Sequence, residues 1–175
     1  MIPEVTSKRR LEIWKCLDFP GTWTLCKTYF EGRAFGDPTI LFSKKYGNWL
    51  FVNESDDKFG DYNSTLNLFR IDDIDSFTLT PHKLNPVVLD SREARSAGDF
   101  FEDEAGRLIR PVQNNIKNIY GHGLLLCQIV ELTIDTYEQV VIERIKPKFK
   151  DGIIGVHHLS LGDNKFVVDA CYKVR

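Results

Sequence analysis

The sequence repeats one local pattern three times: a short apolar run, a turn and a second apolar run. The paired runs occupy residues 39–42 with 49–52, 99–101 with 108–111, and 157–160 with 166–169. Leu50, Ile109 and Val167 hold equivalent positions in the three copies, 59 and 58 residues apart. A period of this size is typical of repeat architectures, in which each repeat is one supersecondary unit that buries its apolar face against the next.

The secondary structure is predicted to be β almost throughout. The apolar runs are short, rich in β-branched and aromatic residues, and separated by Gly, Asn, Asp or Pro. Turns at 46–48, 104–106 and 162–164 supply residues that tolerate a positive φ between paired strands. The predicted strands are residues 11–16, 23–30, 39–42, 49–53, 66–71, 98–102, 108–112, 123–132, 138–145, 156–161 and 165–174.

Two further strand patterns follow each of the first two hairpins, so one repeat reads as a four-stranded meander, the plan of a propeller blade. The predicted fold is therefore all-β, a partial β-propeller of about three four-stranded blades. Residues 1–175 form one incomplete domain in this interpretation. Residues 1–35 supply the outer strands of one blade, 36–90 and 91–150 are blades, and 151–175 begin another. The exposed strand edges of such an arc must be covered or paired.

Composition excludes several functional classes. Charged residues make up 27% of the chain and the net charge is -2, which gives no basic surface for nucleic acid. The sequence as written contains no signal peptide and no apolar run long enough to span a membrane; it reads as cytoplasmic as written, and its localisation stays open. The four cysteines stand singly within apolar runs and lack metal-ligand spacing, so buried thiols are expected, with no metal and no cofactor.

A series of short motifs follows the order of one known family. They occupy residues 1–4, 19–23, 37–38, 49–51, 80–83 with 85–86, 95–98, 108–113 and 120–121. The series resembles the N-terminal domain of plant glucosamine inositolphosphorylceramide transferases, a domain also found in bacterial proteins. The resemblance implies a five-bladed propeller similar to arabinofuranosidase and β-xylosidase type glycosidases. It also implies that the family's propeller begins before the motif at residues 1–4, and that a separate C-terminal domain carries out glycosyl transfer.

Candidate catalytic residues come from the same resemblance. Asp37 with Pro38 resembles the Asp-Pro pair that opens a blade in those glycosidases, where the aspartate is the general base, and Glu4 or Asp99 would then be the acid. A glycosidase needs two carboxyl groups about 5 Å apart for retention, or roughly 6.5 to 9.5 Å apart for inversion. Asp before Pro is also a common turn starter, and this alternative stays open.

The candidate ligand-binding residues are polar groups expected around the channel of a propeller. The guanidinium groups of Arg95 and Arg110 would hold a phosphate or carboxylate, or else form surface ion pairs. His157 and His158 are adjacent on a predicted strand, so they would face opposite ways and share no metal. The two tryptophans Trp23 and Trp49 are expected to pack in the core. The candidates are Arg95, Arg110, Gln113, Tyr120, His157 and His158.

Three functional hypotheses follow. The first is a non-catalytic propeller module of a glycosyltransferase-type protein, which binds a glycan or sugar nucleotide or docks a transferase domain. The second is a glycosidase-like hydrolase that uses Asp37 with Glu4 or Asp99. The third is a fragment without autonomous activity. The expected partners are carbohydrate and either the missing blades or a transferase domain.

Overall fold

The computed structural model describes residues 1–55, 61–116, 119, 121–162 and 165–173. Within these ranges the chain is all-β, as predicted, with one short 3₁₀-helix at Thr6–Lys8 and no α-helix. No helix in the described ranges is long and apolar enough to cross a membrane. The strands are β1 (Leu11–Asp18), β2 (Thr22–Tyr29), β3 (Ala34–Ser43), β4 (Gly47–Ser55), β5 (Thr65–Asp73), β6 (Thr78–Pro81), β7 (Val88–Leu89), β8 (Phe101–Glu102), β9 (Leu108–Gln113), β10 (Leu124–Leu132), β11 (Tyr137–Ile145), β12 (Ile153–Gly155), β13 (Leu159–Gly162), β14 (Lys165–Val168) and β15 (Cys171–Tyr172).

The first large sheet is an antiparallel meander in the order β3, β4, β5, β6, with the short β7 paired to the start of β5. Its register places Leu50 opposite Ile40 on one side and opposite Phe69 on the other. The turn between β3 and β4 is followed by Gly47 at φ +81, a conformation that costs glycine little because it has no Cβ. Consecutive residues 49–53 of β4 are all buried, so both faces of this sheet are covered.

The second large sheet follows the same plan in the order β8, β9, β10, β11. All six residues of β9 are buried, as expected for a central strand with both faces covered. The prediction of a first strand over 98–102 was too long, because β8 spans only two residues. Gly98 has φ +138, and a Cβ at this position would lie 1.9 Å from the carbonyl oxygen of Leu159. The backbone is therefore bent against the third repeat before it can join the sheet.

The remaining strands form small two-stranded sheets, in which β1 pairs with β2, β13 with β14, and β12 with β15. The strand predicted over 156–161 begins only at Leu159, and the one predicted over 165–174 is interrupted after Val168. The short strands β6, β7 and β12 were not predicted. The interruption falls at Asp169, which turns its carboxylate back onto the connection before β13. Hydrogen bonds to the Asp169 side chain replace the pairing between strands at this point.

Apolar clusters join these units face to face in chain order. One cluster, which includes Leu11 and Leu50, packs the β1–β2 hairpin on the first sheet. A second, which includes Phe51 and Ile129, joins the first sheet to the second. A third, which includes Val156, joins the second sheet to the third repeat. Burying one large aliphatic or aromatic side chain contributes roughly 1.5 to 3 kcal/mol, so this packing stabilises the stack.

Burial of the tryptophans and cysteines differs from the prediction in part. Trp49 lies in the core as expected, whereas Trp23 is only half-buried and donates its Nε1–H to the carbonyl of Pro20 at 2.8 Å. Only Cys127 is a fully buried thiol, and burial raises its pKa to about 11, so it stays protonated. Cys26 and Cys171 are exposed because they lie in two-stranded sheets that leave a face uncovered.

The two meanders match the predicted four-stranded repeats, and no closed barrel is formed by the described strands. Their arrangement as blades around a central axis stays a prediction, as do the proposed boundaries near residues 35, 90 and 150. What the fold does establish is an order of packing. The β1–β2 hairpin, the first sheet, the second sheet and the third repeat follow one another in space as in sequence.

Candidate functional site

Asp37 lies at an irregularity in β3 that turns it out of the sheet. The register between β3 and β4 shifts between Gly36 and Thr39, and Asp37 adopts φ +46. Its backbone N–H donates to Oε2 of Glu4 at 2.9 Å. Gly36 is packed under a ring, since a Cβ there would lie 3.1 Å from Cδ1 of Tyr62. The bulge therefore places the Glu4 carboxylate against the backbone of Asp37.

Arg95 connects this bulge to the second sheet. Its Nε donates to Oδ2 of Asp37, and its Nη1 donates to Oδ1 of Asn63 at 3.1 Å. The Arg95 side chain is only 13% exposed, and that of Asp37 is 29% exposed. A guanidinium at this depth is screened less by solvent than a surface arginine, so the ion pair also fixes the position of the Asp37 carboxylate.

A series of amide side chains extends the contact further into the second sheet. Asn115 donates from Nδ2 to Oδ1 of Asn63 at 3.0 Å, and its own Oδ1 accepts the backbone N–H of Gly121 at 3.0 Å. Gln113 donates from Nε2 to the carbonyl of Ser96 at 3.0 Å. These groups are buried or half-buried, and such networks stay ordered when their donors and acceptors are satisfied.

A groove of about 540 Å³ begins beside this polar cluster and runs between β3 and residues 99–102. Pro38 and Thr39 lie on one wall, and Asp99 and Glu102 on the other. Both acidic residues are exposed, and the side chain of Phe42, which also lines the groove, is 62% exposed. The groove therefore combines carboxylate acceptors with an aromatic surface.

The two histidines lie on the connection that precedes β13. Their backbone N–H groups donate to Oδ1 of Asp169 at 2.9 Å for His157 and 2.8 Å for His158, and Nδ1 of His157 contacts Oδ2 of the same carboxylate. Burial pushes the pKa of Asp169 upward, but these N–H groups and the charge of His157 outweigh burial and hold it below its ordinary value. The carboxylate thus anchors the histidine pair rather than leaving it on a strand.

Arg110 was expected either to grip an anion or to form a surface ion pair, and it does neither. Its side chain is fully buried on β9, where Nη1 donates to the carbonyl of Glu93 at 3.2 Å and to Oε1 of Gln139 at 3.0 Å. Nη2 donates to the carbonyl of Ala94. These hydrogen bonds stabilise the segment between the two sheets, although the buried Nε of Arg110 has no hydrogen-bond partner among the described residues.

Several other predicted features can be placed briefly. Glu4, Asp37, Arg95 and Gln113 belong to one hydrogen-bonded cluster, while Asp99 lies in the neighbouring groove. Tyr120 lies outside the described residues. In the described part of the chain, no three His, Cys, Asp or Glu side chains come together as a metal site would require.

Sequence reasoning missed the residues that link the cluster. Asn63 and Asn115 connect Arg95 to the second sheet, and Asn53 accepts the backbone N–H of Ser96 at 3.3 Å. One signal was available, because Asn63 lies shortly before β5 and Asn115 shortly after β9. Amides at such positions are free of the ladder and bond to neighbouring loops.

The fold and site together define an all-β domain of antiparallel meanders that carries a polar cluster between two of them. The chain belongs to the family described as "Glucosamine inositolphosphorylceramide transferase 1, N-terminal", which matches residues 1–159. It is 27% identical over 144 residues to glucosamine inositolphosphorylceramide transferase 1 of Oryza sativa subsp. indica, and 27% identical over 147 residues to the subsp. japonica protein. Each match covers 81% of this chain but only 19% of the relative's length.

Proposed function

We propose that the chain is a non-catalytic, propeller-type module of a glycosyltransferase-type protein, and that it binds a glycan or sugar nucleotide in the groove beside the Asp37–Arg95 pair. The observation that carries this proposal is the continuous polar cluster from Glu4 through Asp37 and Arg95 to Asn115, which opens beside a groove with an aromatic wall. Fixed donors and acceptors next to an aromatic surface are the features that orient a polyhydroxylated ligand.

The groove supplies the contacts that a sugar requires. Asp99 and Glu102 are exposed carboxylates that accept hydrogen bonds from hydroxyl groups. The exposed ring of Phe42 offers a flat apolar surface on which the C–H face of a pyranose stacks. Pro38, which follows Asp37 in the sequence, lines this groove, and we propose that a phosphate or carboxylate on the ligand would approach Arg95 from this end.

A binding role is favoured over catalysis because the Asp37 carboxylate is already engaged by Arg95. The relatives carry the name of a transferase, and this chain corresponds to 19% of their length. We place the transfer chemistry in another part of such a protein, with this module presenting the sugar or docking the transferase domain.

One observation supports a second candidate, a glycosidase-like hydrolase. Glu4 Oε2 accepts the N–H of Asp37, which brings a second carboxyl group close to the residue that resembles the glycosidase base. In this candidate Asp37 is the base and Glu4 or Asp99 the acid, and the two carboxyl groups act on opposite sides of the scissile bond.

The first experiment is a glycan-array screen of the folded chain, followed by calorimetric titration with the best glycans and with nucleotide sugars. We expect Asp99→Asn to weaken binding of the selected sugar at least tenfold, about 1.4 kcal/mol. Glu104→Gln, an exposed carboxyl in the turn just beyond the groove, serves as the matched control and should bind like wild type. A folded wild-type chain that binds no sugar in either assay contradicts the proposal.

The same samples separate the two candidates when they are incubated with chromogenic aryl glycosides. Hydrolysis by the wild type that disappears in Asp37→Asn, with circular dichroism unchanged, supports the hydrolase and overturns the non-catalytic module. Binding without hydrolysis supports the module. If the folded chain neither binds nor hydrolyses a sugar, that result supports the third hypothesis, a fragment that requires other parts of a larger protein.

A further inference from the structure

A second cavity, of about 190 Å³, lies at one edge of the second sheet, where β9 and β11 end and β10 begins. Within the part of the chain that the structure describes, it shares no residue with the groove beside Asp37. Its apolar lining includes Leu124 and Leu125, each 1% exposed. Drug-sized ligands occupy cavities of about 300 Å³ or more, so this cavity suits a smaller molecule.

Gly123 allows the three strand ends to come together. Its carbonyl accepts the backbone N–H of Asn114 at 2.9 Å, which continues the β9–β10 pairing past Gln113. On the other side, a Cβ at position 123 would lie 2.7 Å from the carbonyl oxygen of Ile145, closer than a Cβ comes to another atom in proteins. The absence of a side chain on Gly123 therefore lets the end of β11 lie directly against the start of β10.

Asn114 and Arg144 lie on the same face of this sheet. Arg144 is paired with Leu125, and Leu125 with Val112, so these three side chains share one face. Asn114 follows Val112 by two residues, and side chains two residues apart along a strand point the same way. Lys146, two residues beyond Arg144, also lines the cavity. The cavity therefore lies between an amide that follows β9 and two cations at the end of β11.

The Asn114 side chain is an acceptor without a donor. The residue is only 8% exposed, and its Oδ1 is buried with no hydrogen-bond partner in the described part of the chain. Buried polar atoms are nearly always paired, so this oxygen is one that a donor from outside the chain would satisfy. The terminal torsion of asparagine is broad and nearly two-fold, so the amide can turn its oxygen toward the cavity.

The two cations at the cavity have no carboxylate partner. Arg144 and Lys146 form no ion pair with any described residue, unlike Arg33 and Arg70, which pair with carboxylates. The adjacent Glu143 accepts the backbone N–H of Arg144 at 3.0 Å instead of pairing with its guanidinium. Among the described residues, no Asp or Glu lines the cavity. Its local charge is therefore positive and attracts an anion.

We propose that this cavity binds a small phosphorylated polyol, such as a sugar phosphate, whose phosphate contacts Arg144 and Lys146 and whose hydroxyl group donates to Oδ1 of Asn114. Two cations without carboxylate partners match the charge of a phosphate monoester, about −1.5 to −2 at neutral pH, better than the single charge of a carboxylate. A hydroxyl group beside the phosphate supplies the donor that the amide lacks. This site does not depend on the groove beside Asp37.

Calorimetric titration with glucose 1-phosphate tests the site, because this probe carries a phosphate monoester beside ring hydroxyl groups. It should bind at least about tenfold more tightly than glucose or inorganic phosphate, each of which offers only part of the contacts. Lys146→Gln should weaken its binding at least about tenfold. Lys44→Gln, an exposed lysine in the turn after β3, removes the same charge and should bind like wild type. No binding of glucose 1-phosphate at about 10 mM overturns the proposal.

Asn114→Leu separates binding from stability. Because it replaces an amide whose oxygen is unsatisfied by an apolar side chain of similar size, the urea midpoint should stay the same or rise, while glucose 1-phosphate binds at least about tenfold more weakly. A lower midpoint with unchanged binding would make the amide structural and overturn its role in the site.

Two further measurements identify where the probe binds and which phosphate the cavity takes. Asp99→Asn, in the groove, should leave the affinity for glucose 1-phosphate unchanged. If Asp99→Asn abolishes binding while Lys146→Gln does not, the sugar lies in the groove, and this proposal fails while the proposed function stands. Flotation with phosphatidic acid vesicles presents a lipid phosphate monoester without the hydroxyl. Binding to these vesicles without binding of glucose 1-phosphate also overturns the proposal.

Discussion

The two large sheets, of five and four strands, and the two-stranded sheets are built from similar sequence patterns, yet they are stabilised differently. All six residues of β9 are buried, whereas no residue of β2 is. In the large sheets, each central strand has a paired neighbour on both edges and packed side chains on both faces. Among the described residues, each strand of the two-stranded sheets pairs with one other strand, and β2, β14 and β15 bury none of their residues. The local sequence that forms a hairpin is therefore sufficient for pairing but not for burial, which depends on the neighbouring units.

The polar groups follow the same division. In the second sheet, Arg110 is fully buried and bonds to backbone carbonyls, and its guanidinium carbon lies 5.7 Å from the ring centre of Phe51 in the first sheet. In the β1–β2 hairpin, Glu12 is buried but its cationic partners Lys8 and Arg10 are partly exposed. The charge that joins the sheets is therefore buried together with its acceptors, whereas the buried Glu12 of the hairpin is paired with cations that solvent partly screens.

The largest effect is expected from removing the charge between the sheets. Arg110→Met should lower the free energy of unfolding by about 3 to 5 kcal/mol, because it removes the buried hydrogen bonds of a charged donor to the carbonyls of Glu93 and Ala94 and to the side chains of Ser96 and Gln139. Urea unfolding monitored by circular dichroism, at one fixed protein concentration, measures the change.

The matched control for Arg110 is an arginine that also lies in a large sheet but faces solvent. Arg70 is 45% exposed and pairs with Asp72 at 2.6 Å. Arg70→Met should cost no more than about 1 kcal/mol, since exposed ion pairs contribute little. Equal losses in the two variants would mean that Arg110 is not the link between the sheets that its contacts indicate.

A smaller effect is expected from a matched pair of leucines, one in each kind of region. Leu50→Ala should destabilise the chain by about 3 kcal/mol, because the side chain is fully buried between strands and its loss leaves a cavity. Leu25→Ala on β2, where the leucine is 40% exposed, should cost less than about 1 kcal/mol. Similar values would contradict the contrast between sheets and hairpins.

The parts of the fold that were predictable from sequence are those set by neighbouring residues. Turns with Gly47 and Gly106 fixed the first two hairpins, and the short apolar runs between turn residues located most of the strands. The short β8 was predicted too long because its limit is a contact between Gly98 and Leu159, two residues distant in sequence. A pattern of neighbouring residues cannot predict a contact between residues so far apart in the sequence.

The candidate site was predictable to a similar extent. Asp37 was selected by its resemblance to a glycosidase Asp-Pro pair and Arg95 as a polar group expected around a propeller channel, and the two form an ion pair. Asn63 and Asn115 were missed because an asparagine in a loop has many possible partners, and only the packing of the two sheets brings these two together. Arg110 was misinterpreted because its burial depends on residues from the opposite sheet.

The smallest effect at neutral pH is expected at Glu12, where it tests the hairpin alone. Hydrogen bonds from Lys8 and Arg10, together with one from Trp14, lower the pKa of Glu12 to about 2 against the opposing effect of burial. Because this pKa lies below the unfolded value of 4.5, the stabilisation is fully present above about pH 4.5 and is lost as the pH falls toward 2. Glu12→Gln should therefore lower the urea midpoint at pH 7, and the difference from wild type should disappear near pH 2.

The pH dependence distinguishes an electrostatic role of Glu12 from a packing role. If Glu12 only fills space in the hairpin, the difference between wild type and Glu12→Gln will not change with pH, since glutamine has the same shape. Glu138→Gln, an exposed carboxyl on β11, is the control and should leave the midpoint unchanged throughout. We expect the difference in urea midpoint to decrease only over this acidic range and to be reduced by salt. This result indicates that the ordering of the β1–β2 hairpin depends on the Glu12 charge, whereas the large sheets depend on apolar burial.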